Sequence, residues 1–130
     1  MLIPSLICQT DRSDLNLTTM EESEEYVKNG FLICPTCHHK YPIVEGIVNM
    51  LAESKLDKPL VTEIKARDRE AKKYDEKMSV RSQKEMPSTL KGAGELAGKN
   101  IIEYGCGTGR YTIELASRCE NILAIDFSKE

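Results

Sequence analysis

The feature that most constrains this chain is a run of three alternating glycines, Gly105-Cys106-Gly107-Thr108-Gly109, set between two short apolar stretches. Ile101-Ile102-Glu103-Tyr104 precedes it; Arg110 to about Arg118 comes next, and then Ile122-Leu123-Ala124-Ile125 closes on Asp126. The order reads strand, glycine loop, helix, strand, which is one βαβ unit, and the nearly continuous apolar runs predict parallel strands buried on both faces. At each glycine a backbone conformation or a close approach is open that a Cβ would obstruct, and the loop leads into a helix whose free N–H groups face a ligand.

Two neighbours narrow what such a loop would hold. A dinucleotide fingerprint needs a glycine three residues after its second one, for close packing of helix on strand, and that position is Arg110, which counts against a nicotinamide-dependent oxidoreductase. Glu103, two residues before the loop, could face an ammonium group, and Asp126 at the end of the second strand could accept hydrogen bonds from two ribose hydroxyls. An amino-acid end and a nucleoside end of one ligand are both provided for.

Ile102 to Arg110, together with Ala124-Ile125-Asp126-Phe127-Ser128, resembles the first motif and the acidic loop of class I S-adenosylmethionine-dependent methyltransferases. The resemblance covers about the last quarter of the chain. It implies that Gly105, Cys106, Gly107 and Gly109 line the amino-acid part of the cofactor, that Asp126 binds its ribose, and that Glu103 lies near its methionine group. A stretch similar to Arg67-Asp68-Arg69-Glu70-Ala71-Lys72-Lys73-Tyr74-Asp75 precedes the first strand in many such enzymes, which implies a helix over the cofactor pocket with Tyr74 lining it; Tyr74 fits equally well as part of that helix's core stripe. Cys106 is common in such loops and Cys119 reads as filler, so neither is taken as a nucleophile.

Upstream, Val61 to about Lys84 places Ile64, Ala71, Tyr74 and Met78 at intervals of seven, three and four with charge between them, an amphipathic helix. Pro87 is expected to stop it, with Ser88 or Thr89 capping a second short helix through Leu90, Ala93 and Ala97 that ends at Gly98. Residues 52 to 92 hold eleven Lys/Arg against eight Asp/Glu, whereas residues 1 to 51 hold three against seven. That basic balance is most simply a solvated helix face, and with a net charge of −3 it does not indicate a nucleic-acid partner.

The first fifty residues alternate short apolar runs with turn formers: Leu2 to Cys8, a polar stretch with Glu21, Glu22, Glu24 and Glu25, then Gly30 to Cys34, and Tyr41 to Val48 around Gly46. These predict short strands joined by loops. With two Phe and no Trp in the chain, so small a segment buries little apolar area and calls for a staple. Cys34-Pro35-Thr36-Cys37 supplies half of one, two thiolates on a tight turn able to reach a tetrahedral ion at about 2.3 Å. Cys8 would begin a matching knuckle, but its fourth residue is Asp11 instead of cysteine. Carboxylate oxygen is an acceptable zinc ligand, and His38 or His39 are alternatives, strained by adjoining Cys37. The competing view is a degenerate ribbon whose cysteines are buried as small hydrophobes.

This segment is similar to small zinc-ribbon-like proteins, some of them methyltransferase activators, in which two such knuckles precede an ending like Tyr41-Pro42-Ile43-Val44-Glu45-Gly46-Ile47-Val48-Asn49-Met50-Leu51. Fusion of this module to a methyltransferase domain occurs in that family. The resemblance implies zinc on Cys8, Asp11, Cys34 and Cys37, and a protein partner met through the module.

The expected architecture is therefore α/β: a small β-rich zinc-ribbon-like module (1–52), a helical cap or linker (53–98), and a truncated Rossmann-like methyltransferase start of one βαβ unit (99–130). The expected function is the N-terminal portion of an S-adenosylmethionine-dependent methyltransferase with an unassigned methyl acceptor; the alternative is a noncatalytic zinc-ribbon-like binding or activator module. An acceptor site would be built from residues after Asp126, so no catalytic residue is assigned and these 130 residues are not expected to methylate anything alone. No apolar run approaches the roughly 20 residues of a membrane span, and the short apolar start has no basic leader, which predicts a cytoplasmic location. Five cysteines with a two-thiol knuckle fit metal better than disulfides in that compartment.

Overall fold

The computed structural model describes residues 6–51 and 56–128, with side chains except those of Lys72 and positions 75–83. The chain forms two compact units, Met1–Glu53 and Ser54–Glu130. The segment expected as a helical linker and the glycine-loop segment thus fall in one unit.

In the first unit, four strands among the described residues form an antiparallel sheet in sequence order: β1 Asn16–Glu22, β2 Val27–Ile33, β3 Lys40–Val44 and β4 Ile47–Val48. Of the predicted run Leu2 to Cys8, residues 2–5 lie outside the described residues, and Ile7 makes a single bridge to Asp14 instead of joining a strand. β1 is a strand where the sequence shows only a polar stretch. Its side chains are mostly exposed, so it lacks the apolar alternation that marks a half-buried strand; only Leu17, opposite Leu32, faces the core.

The core of this unit is Val27, Leu32, Tyr41 and Ile43, with Leu6, Leu15, Leu17, Val48 and Met50 against it. Gly30, Leu32, Tyr41 and Ile43 share a face through the pairs Leu32–Tyr41 and Gly30–Ile43. Val27 is out of phase with Gly30 and Leu32, yet buried. Two irregularities explain it: pairing passes from Thr19–Gly30 to Glu21–Asn29 to Glu22–Val27, which leaves Met20 and then Lys28 unopposed and turns Val27 onto the core face. At Gly30 the backbone of β1 stands close, and a Cβ there would lie 2.4 Å from the Thr18 carbonyl oxygen. Gly30→Ala should cost this unit about 1–3 kcal/mol, as overpacking does, which urea unfolding monitored by the unit's far-ultraviolet signal will measure. Glu45 and Gly46, with φ of 49° and 82°, make the tight turn from β3 to β4.

The second unit opens with α1, Lys58–Ala93, started by Asp57, whose Oδ1 accepts the Leu60 N–H at 2.9 Å. Val61, Ile64 and Ala71 are half-buried along one face, as the spacing predicts, while Tyr74 is more open; the Met78 side chain lies outside the described residues. The expected break at Pro87 does not occur, and there is no separate second helix ending at Gly98: α1 runs through Pro87 and stops at Ala93, where Gly94 takes φ 71°. Pro87 is exposed, so the carbonyl it leaves without an N–H can turn to water, and Glu85, Met86, Leu90 and Lys91 around it are good helix formers.

The unit continues with β5 (Asn100–Tyr104), α2 (Arg110–Ala116) and β6 (Asn121–Ile125), with β5 and β6 parallel and in register from Asn100–Asn121 to Tyr104–Ile125. The strands are not buried on both faces as their apolar runs suggested. Ile102, Tyr104 and Ile125 are exposed, because a two-stranded sheet with one seven-residue helix is covered incompletely. Among the described residues, no helix is long and apolar enough to cross a membrane.

Candidate functional site

Two side-chain constellations stand out, one in each unit. In the first unit, Cys8, Asp11, Cys34 and Cys37 come together with one ligand atom from each lying within 4.8 Å of every other. Two turns of the same build place them. In one, the Cys8 N–H donates to the Ser13 carbonyl at 2.8 Å and the Arg12 N–H to the Cys8 carbonyl at 2.9 Å. In the other, the Cys34 N–H donates to the His39 carbonyl and the His38 N–H to the Cys34 carbonyl, both at 3.0 Å. Arg12 and His38 occupy matching positions and share the left-handed conformation, with φ of 62° and 59°. The knuckle that the sequence shows only as Cys8-x-x-Asp11 is therefore a structural copy of Cys34-x-x-Cys37.

Cys8 and Cys34 are fully buried, whereas Asp11 and Cys37 reach the surface. Burial pushes the Cys8 thiol up, but the backbone N–H of Asp11, the Tyr41 hydroxyl, the Thr10 N–H and the Cys37 thiol together bring it down to about 7. Asp11 is held well below the usual carboxylate range, first by the Ser13 N–H, 2.9 Å from Oδ1, and then by the Ser13 hydroxyl. Cys37 gains from a backbone hydrogen bond at His39, yet burial and competition with Cys34, Cys8 and Asp11 push it up to about 11. Neither His38 nor His39 joins the cluster; the His39 ring packs against Tyr41 with centroids 4.6 Å apart. Tyr41, quoted from sequence only as the start of the module's ending and given no role, belongs to the site: its hydroxyl lies 3.6 Å from Cys8 Sγ and accepts the Gln9 N–H at 3.0 Å, tying the core to the knuckle. Three thiols and a carboxylate in this spacing are a donor set for a tetrahedral borderline cation.

In the second unit the glycine loop leaves β5 by donating the Gly105 N–H (2.7 Å) and the Cys106 N–H (3.2 Å) to the Ile125 carbonyl. This pins the loop to the end of β6, where Asp126 begins the next turn. Asp126 Oδ2 accepts the Gly107 N–H at 2.8 Å, and Oδ1 accepts the Ser128 N–H at 2.8 Å. The Ser128 hydroxyl donates in turn to Asp68 Oδ1 on α1 at 2.6 Å, so helix, loop and strand end are linked by side chains. Between them lies a cleft of about 240 Å³ lined by Gly105, Gly107, Thr108 and Asp126 on one side and Arg67, Glu70, Ala71 and Tyr74 of α1 on the other, with Phe127 and Ser128 at its end.

Of the residues named from sequence, Gly105, Gly107, Asp126 and Tyr74 line this cleft. Glu103, Cys106 and Gly109 do not. The Thr112 hydroxyl donates to Glu103 Oε2 at 2.6 Å, turning at least that oxygen toward α2. Cys106 is half-buried, and burial, then the Asp126 and Glu103 charges, push its thiol up. Gly109 caps α2 in the left-handed conformation with φ 77°. Arg67, Glu70 and Ser128 line the cleft too; the stretches quoted from sequence contain all three but give none a role, and the signal for Ser128 is its place two residues after Asp126, which closes a turn on the carboxylate.

The same combination of glycine loop and acid occurs in a chain with known relatives. Over 58 residues it is 36% identical to phosphoethanolamine N-methyltransferase 3 and, over the same length, 36% identical to phosphoethanolamine N-methyltransferase 1, both of Arabidopsis thaliana. Part of the chain is thus similar to part of two methyltransferases. Each match covers 45% of the chain and 12% of the relative, so the chain corresponds to a small part of those proteins. No family profile matches it.

Proposed function

We propose that residues 54–130 carry the cofactor-binding start of an S-adenosylmethionine-dependent methyltransferase, and that residues 1–53 are a zinc-ribbon-like module whose Cys8, Asp11, Cys34 and Cys37 hold a metal ion. The observation that carries the first part is the cleft in which the glycine loop, Asp126 and Tyr74 meet. Gly105 and Gly107, with φ of 71° and 52°, have nothing within 4 Å of where a Cβ would stand, so a side chain there would fill open space beside the cleft instead of striking the protein. The positive φ there is a conformation that glycine adopts without strain, and it leaves the backbone open to close approach by a ligand. At about 240 Å³ it is smaller than the roughly 300–1,000 Å³ of complete small-molecule sites, which suits one part of a nucleoside-sized cofactor.

When bound, the cofactor supplies an electrophilic methyl on its sulfonium. This chain's residues bind and orient. Asp126 offers the lone pairs left on its two oxygens to ribose hydroxyls, already aimed by Gly107 and Ser128. The Gly105 and Gly107 backbone allows close approach, Tyr74 gives the cleft an aromatic wall, and Thr112 sets the Glu103 carboxylate behind the loop. Methyl transfer then depends largely on alignment, which fixed elements around the cofactor provide.

Calorimetric titration with S-adenosylmethionine and, separately, with NAD tests the reading. Heat of binding is expected for the sulfonium cofactor and not for NAD; the reverse pattern would assign the cleft to a dinucleotide.

A further inference from the structure

We infer that Cys8 and Cys37 form a reversible disulfide across the two knuckles, making this pair an oxidation site. The CxxC spacing alone would nominate Cys34 and Cys37, but the geometry favours another pairing. Cys8 Sγ and Cys37 Sγ stand 3.5 Å apart. Cys34 Sγ instead donates to the Asp11 carboxylate, 3.3 Å from Oδ2 and 3.5 Å from Oδ1, and accepts the Cys37 N–H at 3.4 Å. Exposure divides the labour within the pair: Cys37 is at the surface, where an oxidant reaches it, while Cys8 is fully buried and waits beside it.

A peroxide is the oxidant class that completes the chemistry. Cys37, the exposed member, gives up its proton as it attacks one peroxide oxygen; an S–O bond forms, the O–O bond breaks, and the departing hydroxide takes up that proton to become water, giving a sulfenic acid. The Cys8 thiolate then attacks that sulfur, the S–S bond forms, and the S–O bond breaks with loss of a second hydroxide. In sum, two thiols and one peroxide give one disulfide and two waters, the sulfur pair losing two electrons. The bond would join residues on both knuckles and replace the metal as their staple. Release of the metal on oxidation rests on the metal-binding proposal, because two of four ligands are consumed; the disulfide itself does not.

The test is peptide mapping by mass spectrometry, with fragmentation to separate Cys34 from Cys37, on zinc-loaded and chelator-stripped protein treated with a few equivalents of hydrogen peroxide. A chromogenic chelator tracks released zinc. The expected product in both samples is a Cys8–Cys37 crosslink, lighter by two hydrogens and reversed by dithiothreitol, with zinc leaving the loaded sample as the crosslink forms. Cys34→Ser should keep the crosslink and Cys37→Ser should lose it; the wild-type map stands by itself if either variant fails to fold. A Cys34–Cys37 crosslink, or Cys37 oxidised to its sulfonic acid with Cys8 still free, would overturn the inference. A Cys8–Cys37 crosslink in protein that never takes up zinc would uphold the disulfide and refute the metal reading.

Discussion

Alanine at position 37 is expected to remove most of the first unit's metal affinity and, with it, most of that unit's folded structure. Cys37 is exposed and contributes little by packing, so its replacement reports on ligation more cleanly than replacement of the buried Cys8 or Cys34. The size of the effect comes from the smallness of the core. Val27, Leu32, Tyr41 and Ile43 with a few half-buried neighbours are a small reserve for fifty residues. Structural zinc in small modules contributes roughly 10–16 kcal/mol of apparent binding energy that is also folding energy, against a typical domain stability of about 5–15 kcal/mol. Elemental analysis should find about one zinc per wild-type chain and less than about a tenth of that in Cys37→Ala, with the β-sheet amides losing protection from hydrogen exchange. Asp11→Cys gives the control: it completes a four-thiolate site and should hold zinc at least as firmly as the wild type. If metal-free wild type and Cys37→Ala keep the same amide protection as the loaded protein, the knuckles are a degenerate ribbon and the cysteines serve as small apolar side chains.

The second large effect is expected at Asp126. Removing its carboxylate with Asp126→Ala withdraws the two charge-assisted hydrogen bonds proposed to the ribose, about 1.5–3 kcal/mol each, or a loss of roughly 10²–10⁴ in affinity for S-adenosylmethionine. The same carboxylate holds the Gly107 and Ser128 N–H groups, so the loop itself also loosens. Ser128→Ala separates the two contributions. It leaves Asp126 and the backbone N–H in place and cuts only the hydroxyl link to Asp68, and a loss smaller than about tenfold is expected, one neutral-to-charged hydrogen bond away from the ligand. Calorimetry on the three proteins measures both. Equal losses for Asp126→Ala and Ser128→Ala would mean that the link to α1, and not the ribose contact, dominates the site.

Much of this was legible in the sequence where one side chain or one short period fixes local structure. The glycine loop, its flanking strands and Asp126 were readable because positive φ, apolar runs and an acid at a strand end leave few alternatives. That Asp11 joins the three cysteines was readable because position, not residue type, defines the knuckle; the equivalent left-handed residues Arg12 and His38 give the structural reason. The misreadings came where context outweighs local signal. β1 carries a polar strand pattern that only pairing with β2 rescues. Pro87 costs a helix one hydrogen bond, and an exposed site surrounded by good helix formers absorbs that cost. The burial of Val27 depends on two irregularities in strand pairing, which no alternation pattern in a single strand reveals. The hydrogen bond from Thr112 to one oxygen of Glu103, nine residues earlier, is likewise a contact visible only once α2 is folded back beside β5.

The central claim is that the glycine loop and Asp126 receive the sulfonium cofactor, and residue-resolved NMR tests it most directly. Titrating S-adenosylmethionine into isotope-labelled protein should shift the amides of Gly105, Gly107, Thr108, Asp126 and Ser128 together with that of Tyr74, and leave the amides of Leu32, Tyr41 and Ile43 in the first unit unmoved. No shift at Gly107 and Asp126 at saturating cofactor, or shifts confined to the first unit, would contradict it.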